Sequence, residues 1–190
     1  MSLTDVELCS AALVKLGAAG ISSFSDGTAE AEVANTLYDI VRDGLLSLHP
    51  WSFATAHAEL TLLPTPPATN FNYAFDLPAD FIKALSAGGE ARSRGAIYQI
   101  VGGELHANEE EITLTYIKRA DEADFSTFFV SALINRLAAE FCLPITENSS
   151  RSELLFRLAD TELRLAKLID SQQDTPPQIE DFTLIRARTA

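Results

Sequence analysis

Cysteine, histidine and basic residues are scarce in this chain, and each shortage excludes a class of chemistry. The two cysteines, Cys9 and Cys142, stand far apart, each inside an apolar pattern of helical period. They read as small buried hydrophobes, not as a disulfide or a metal pair. The three histidines, His49, His57 and His106, have no partner four residues away and no neighbouring cysteine, so zinc spacing is absent. Lysine and arginine number 14 against 27 acidic residues, for a formal net charge of −13. Ordinary nucleic-acid binding needs cations against phosphate, and this chain has the opposite balance. No apolar run approaches the ~18 residues of a membrane span. The opening S-L-T-D-V-E is acidic, which argues against a secretory leader. A soluble intracellular protein with no membrane partner is expected. Nucleophile-elbow, Walker and dinucleotide-binding glycine patterns are missing too.

What remains is a chain of 190 residues with 47% hydrophobic content, enough for one sizeable domain or two small ones without a metal or disulfide staple. Thr4 with Glu7 fits a capping box opening a first helix over 4–16, with Val6, Cys9, Leu13 and Leu16 as its stripe and Gly17 at its end. Residues 18–27 form a loop tethered by Ile21 and Phe24. A long helix from Thr28 to Leu48 follows, with Val33, Leu37, Ile40, Val41, Leu45 and Leu48 as the expected buried stripe. Pro50 stops it, because the residue before a proline is pushed out of the α region. Trp51 and Phe53 follow at a two-residue spacing that suits a strand, and Trp51 is expected to anchor the junction of helices and sheet.

Beyond Trp51 the period changes. A strand is expected over 59–63, and Pro64, Pro66 and Pro67 make a rigid connector in preference to an SH3-type ligand. Phe71, Tyr73, Phe75 and Leu77 alternate as a half-buried strand, and a second runs from Phe81 to Leu85 after the turn at Pro78. Gly88-Gly89 marks a break. Strands 98–101 and 104–107 flank Gly102-Gly103 as a tight hairpin, and Ile112, Leu114 and Tyr116 alternate in a further strand. Helical period returns near Asp124. Phe129, Leu133, Leu137 and Phe141 mark a third helix closed by Pro144. Ser150 with Glu153 suggests a capping box for a fourth, along Leu154, Leu155, Leu158, Leu165, Leu168 and Ile169. The expected fold is therefore α+β: a four-helix bundle built from both chain ends, 1–50 and 124–174, with an antiparallel β region inserted at 51–123. Pro176-Pro177 then opens a C-terminal arm, 175–190, carrying Ile179, Phe182, Leu184, Ile185, Arg186 and Arg188.

One stretch resembles a known family. A helix carrying N-x-L-Y-D-x-V-R-D, then L-x-x-H-P-W-x-F-A, is similar to the head-to-tail connector (adaptor) proteins of tailed bacteriophages, in the group containing tail tubular protein A. The matching residues are Asn35, Leu37, Tyr38, Asp39, Val41, Arg42, Asp43, His49, Pro50, Trp51, Phe53 and Ala54. The likeness extends back to Lys15-Leu16-Gly17 and Ile21-Ser22-Ser23, and forward to the run Tyr73 to Asp80 and the helical half from Phe125, covering most of residues 1–170. It implies a structural protein of the virion, made in the host cytoplasm and placed at the head–tail junction. It also implies a ring of about twelve copies below the portal protein, joined to a tail or nozzle protein. DNA would pass through the centre without specific binding, and an acidic lumen suits that passage. The terminal arm, by the same resemblance, grips the portal.

Asp39 and Asp43 share a helix face four residues apart, and Arg42 can bridge Asp39 or reach a neighbouring subunit. A solvated charged face, an inter-subunit role and a metal role are the alternatives there. Glu109-Glu110-Glu111 reads as an exposed loop tip. Neither metal nor organic cofactor is expected, and no enzymatic activity. Two rivals stand beside the connector. One is a cell-wall glycan hydrolase, which needs a desolvated acid beside an ionised one that no part of this sequence singles out. The other is a cellular interaction module.

Overall fold

A computed structural model describes residues 3–88 and 95–173 of the protein. Among these, four α-helices and two antiparallel sheets make an α+β fold. Helices α1 (Asp5–Lys15) and α2 (Ala29–Ser47) come first, and α3 (Thr127–Thr146) and α4 (Ser149–Ser171) come last. Between them lie β1 (Thr55–Glu59), β2 (Thr61–Leu62), β3 (Tyr73–Asp76), β4 (Phe81–Ala87), β5 (Tyr98–Val101), β6 (Glu104–Ala107) and β7 (Thr113–Lys118). One sheet has the order β1-β7-β4 and the other β2-β3-β6-β5.

Local chemistry sets several boundaries. Thr4 and Glu7 close the capping box of α1, and Thr28 caps α2 by accepting the Ala31 amide. Gly102 and Gly103, with φ of 62° and 90°, supply the paired left-handed residues that a two-residue hairpin needs between Val101 and Glu104. Other expectations require correction. Ser52–Ala54 form a 3₁₀ turn where a strand was expected, because Trp51 is drawn inward and its indole donates to the Leu45 carbonyl at 3.0 Å. The expected strand over 59–63 is broken at Leu60: β1 pairs with β7, and β2 pairs with β3 in the other sheet. Pro144 lies inside α3, which continues to Thr146 and ends at Glu147 in the left-handed region, φ 52°. A proline so near the end removes only one late helical bond. Asn148, not Ser150, caps α4, accepting the Arg151 amide at 2.9 Å.

The helices do not close into the expected four-helix bundle. Helix α3 packs on α1, α2 and α4 alike, whereas α4 packs extensively on α3 alone. Its sequence explains the difference. Toward α3 it buries Ser152, Ala159 and Ala166, small residues that let two helices approach closely. Leu155 and Leu163 pack partly against the helical core, but most of its large residues face outward: Leu154 is 65% and Leu168 58% exposed, with Leu158, Leu165 and Ile169 beside them. Of the expected core stripe Leu155 meets the core, and the other five residues are a surface. Helix α2 shows the same inversion in part, burying Ala31, Ala34, Tyr38, Val41 and Leu45 while Ile40 is 67% and Leu48 54% exposed. Helix α3 is long and apolar enough to cross a membrane, with a hydropathy of 1.5, but half of that stretch is buried inside the fold and it carries Arg136 and Glu140.

Two cores result. The helical core gathers Leu8, Leu13, Leu46, Trp51, Phe129 and Phe141; the sheet core holds Phe75, Leu105, Ile112, Leu114 and Tyr116. Strand β7 is the seam between them, since alternation sends Leu114 and Tyr116 to the sheet core and Ile117 to the helical one.

Candidate functional site

Two polar constellations flank α2. The first surrounds Arg42, whose side chain is only 12% exposed. Its guanidinium reaches Asp39 at 3.0 Å, Asp43 at 3.0 Å and Glu122 at 3.4 Å, and lies 5.4 Å from the Tyr38 ring centroid. Tyr38 donates its hydroxyl proton to Glu122 at 2.8 Å. Arg119, just after β7, forks onto Asp43 through Nε at 3.0 Å and a terminal nitrogen at 2.6 Å. Burial alone would lower the Arg42 pKa, but the hydrogen bond and charge of Asp43, with Asp39 added, outweigh it and hold the group above its ordinary value. Asp39, Arg42 and Asp43 thus belong to one network that fastens α2 to the end of β7 and the turn leading into α3. Arg42 bridges within its own chain.

Two buried groups near this network set a response to alkali. Burial, with Asp5 and Asp39 nearby, pushes the Cys9 thiol from 9.0 up to about 12. Burial and the bond to Glu122 push the Tyr38 phenol up from 10.0. Both groups stay protonated in the folded chain while the unfolded chain already releases the protons. Their stabilisation is therefore complete below pH 9.0 and drains away as pH rises from there toward about 12. Urea midpoints should be level from pH 7 to 8.5 and fall steadily above it. Cys9→Ala should flatten the first part of that fall.

The second constellation lies at the helix–sheet junction. Asp170, near the end of α4, is 3% exposed. Ser52 donates its hydroxyl to Asp170 Oδ1 at 2.7 Å, and Asp170 Oδ2 accepts the Ser52 backbone amide at 3.2 Å and lies 3.0 Å from His49 Nε2. The His49 ring meets Trp51 edge-on at 4.8 Å, and Trp51 meets Phe129 at 4.9 Å. A groove of about 540 Å³ opens beside these residues, with His57 and Gln173 on its walls. The three residue types of a hydrolase triad are present, but the carboxylate lies between serine and histidine. Nucleophilic attack needs the histidine in the middle, taking the serine proton. This arrangement clamps α4 to the chain entering the sheets.

Trp51 is fully buried, as the junction reading requires. The arm residues Ile179, Phe182, Leu184, Ile185, Arg186 and Arg188 lie outside the described residues. The sequence reading missed Arg119, Glu122, Ser52 and Asp170, which join their partners only through tertiary packing. Among the described residues no group of three or more His, Cys, Asp or Glu side chains is arranged to hold a metal ion. The chain matches no protein-family model and no curated protein.

Proposed function

We propose that the chain is a structural head-to-tail connector of a tailed bacteriophage or a related particle, forming a ring between portal and tail. The observation that carries this reading is where the resembling stretch falls. Tyr38, Asp39, Arg42 and Asp43 lace α2 to the end of β7, and His49, Trp51 and Phe53 build the junction of helices and sheets. The resemblance thus rests on residues that hold an architecture together, as a likeness between scaffolds would. On this reading 1–50 and 124–174 form one discontinuous helical unit interrupted at 51–123, supported by the packing of α1 and α2 on α3. The net charge of −13 suits a lumen through which DNA slides.

The test is reconstitution. Purified protein added to DNA-filled, portal-bearing heads that lack it should bind as a ring and restore tail joining. Heads that never take up the protein would end the proposal. The arm from 178 to 190 is assigned to portal docking, so deleting it should leave the fold's melting temperature unchanged and abolish uptake by heads. Unchanged uptake, or loss of the fold, would remove that role.

A further inference from the structure

Among the described residues the two sheets end in the edge strands β1, β4, β2 and β5, and all but β5 are blunted in ways that keep other chains away. Strand β2 is two residues long and runs into Pro64, Pro66 and Pro67. Strand β1 carries His57 and Glu59 at its exposed positions. Strand β4 carries the exposed Lys83, and its register is irregular between Phe81 and Lys83 and between Ala84 and Ser86. Strand β5 has none of these devices. From Gly95 to Gly103 the sequence holds no charge and no proline, and the register with β6 runs unbroken. The edge is apolar as well: Ile97 is 78%, Val101 40% and Ile100 38% exposed.

The hydrogen-bond pattern fixes which groups of β5 face outward. The Ala74 carbonyl accepts from the Leu63 amide at 2.8 Å, so Ala74 faces β2, and its neighbours Tyr73 and Phe75 exchange their bonds with Ala107 and Leu105 of β6. Glu104 and His106 then bond the other way, to Val101 and Gln99. Tyr98 and Ile100 are left with N–H and C=O pointing off the sheet, and among the described residues no backbone group meets them. Side chains alternate along the same run. Tyr98 packs on the sheet core and Ile100 shares its face, while Ile97, Gln99 and Val101 fall on the other.

From this we infer that β5 pairs antiparallel with β5 of a second copy, about a two-fold axis at Gln99. In that register the edge is its own complement. Tyr98 and Ile100 exchange their outward backbone bonds with Ile100 and Tyr98 of the second copy. Ile97 faces Val101 on one side of the joined sheet and Tyr98 faces Ile100 on the other, so each exposed apolar side chain gains an apolar neighbour. Sliding the strands by two residues would set Ile97 and Tyr98 opposite Gly103 and Gly102, and sliding by one would turn bonding groups away from each other. Copies of a chain with charge −13 repel one another, and this neutral edge lets two of them meet without opposing like charges. The contact uses the same patch on both copies, so it closes at two. It goes beyond the connector reading and does not rest on it.

The test is disulfide trapping in the full chain, with sedimentation of the wild type beside it, which should show monomer and dimer in equilibrium. Native Cys9 and Cys142 are fully buried and do not compete. Residues facing each other in a non-hydrogen-bonded pair have Cα atoms about 4.5 Å apart, within disulfide reach. Gln99→Cys lies on the axis and should link to itself on oxidation with copper–phenanthroline. The expected yield is roughly tenfold more linked dimer than Leu62→Cys on the β2 edge gives, because a specific contact raises the local thiol concentration. Ile100→Pro, added to the Gln99→Cys chain, removes an outward N–H while sparing the bonds to β6, a change that an edge strand tolerates. Linkage should fall to the Leu62→Cys level with the circular-dichroism melting curve unchanged. Should that variant melt early, Ile97→Lys alters only an exposed side chain and should lower linkage in the same way. A wild type that is monomeric at every concentration would overturn the inference. So would Gln99→Cys linkage no greater than the control's, linkage that persists in the folded edge variant, or stronger linkage in a mixture of Gln99→Cys with Leu62→Cys, which would mean that unlike edges meet.

Discussion

Replacing Trp51 with alanine should lower the unfolding free energy by about 3–5 kcal/mol, the range for deleting a large buried aromatic. The size follows from what the indole does. It fills the centre of the helical core, meets His49, Phe53 and Phe129 at ring-centroid distances of 4.8, 5.9 and 4.9 Å, and caps the end of α2 by bonding the Leu45 carbonyl. Alanine leaves a cavity, and it also leaves that carbonyl without its donor. Trp51→Phe keeps most of the volume and should cost markedly less. Chemical denaturation of both variants checks this, and equal losses would mean that the indole N–H outweighs the ring.

Removing the Asp170 carboxylate should have an effect of similar size. Asp170→Ala strips one acceptor from three donors, the Ser52 hydroxyl, the Ser52 amide and His49. Hydrogen bonds to a charged acceptor contribute about 1.5–3 kcal/mol each, and these donors lose theirs together, the exposed Ser52 regaining part from water. Ser52→Ala removes one bond to the carboxylate and should cost about 1–2 kcal/mol. A double-mutant cycle between the two positions should show coupling, because they share one network. Additive losses would mean that the carboxylate acts through something other than Ser52.

These two positions also mark where the sequence could and could not be read. Helix α3 was legible because Phe129, Leu133, Leu137 and Phe141 keep helical spacing and are all fully buried. The strand from Thr113 was legible because alternation at Leu114 and Tyr116 is a local signal. Asp170 was not, since its partners lie 118 and 121 residues away and no periodicity links them. The face of α4 was misread for a different reason. Hydrophobic spacing reveals that a helix has an apolar side, but not what covers that side. Here the covered side is marked by Ser152, Ala159 and Ala166, whose small size carries almost no hydrophobic signal. The charges around Arg42 were visible on α2, but Glu122 and Arg119 were not, because the turn that presents them exists only once β7 is in place.

That dependence on β7 has a consequence during synthesis. The strand is made last of the three in its sheet, yet it occupies the middle, with β1 and β4 pairing to its two sides and not to each other. A nascent chain that ends before Thr113 therefore carries two strands whose shared partner is still inside the ribosome. Sheet closure becomes a single late event spanning the whole insertion, the kind of long-range pairing that is slow to form. Until it happens the strand edges that β7 will cover stay open, and open edges are where chains mispair.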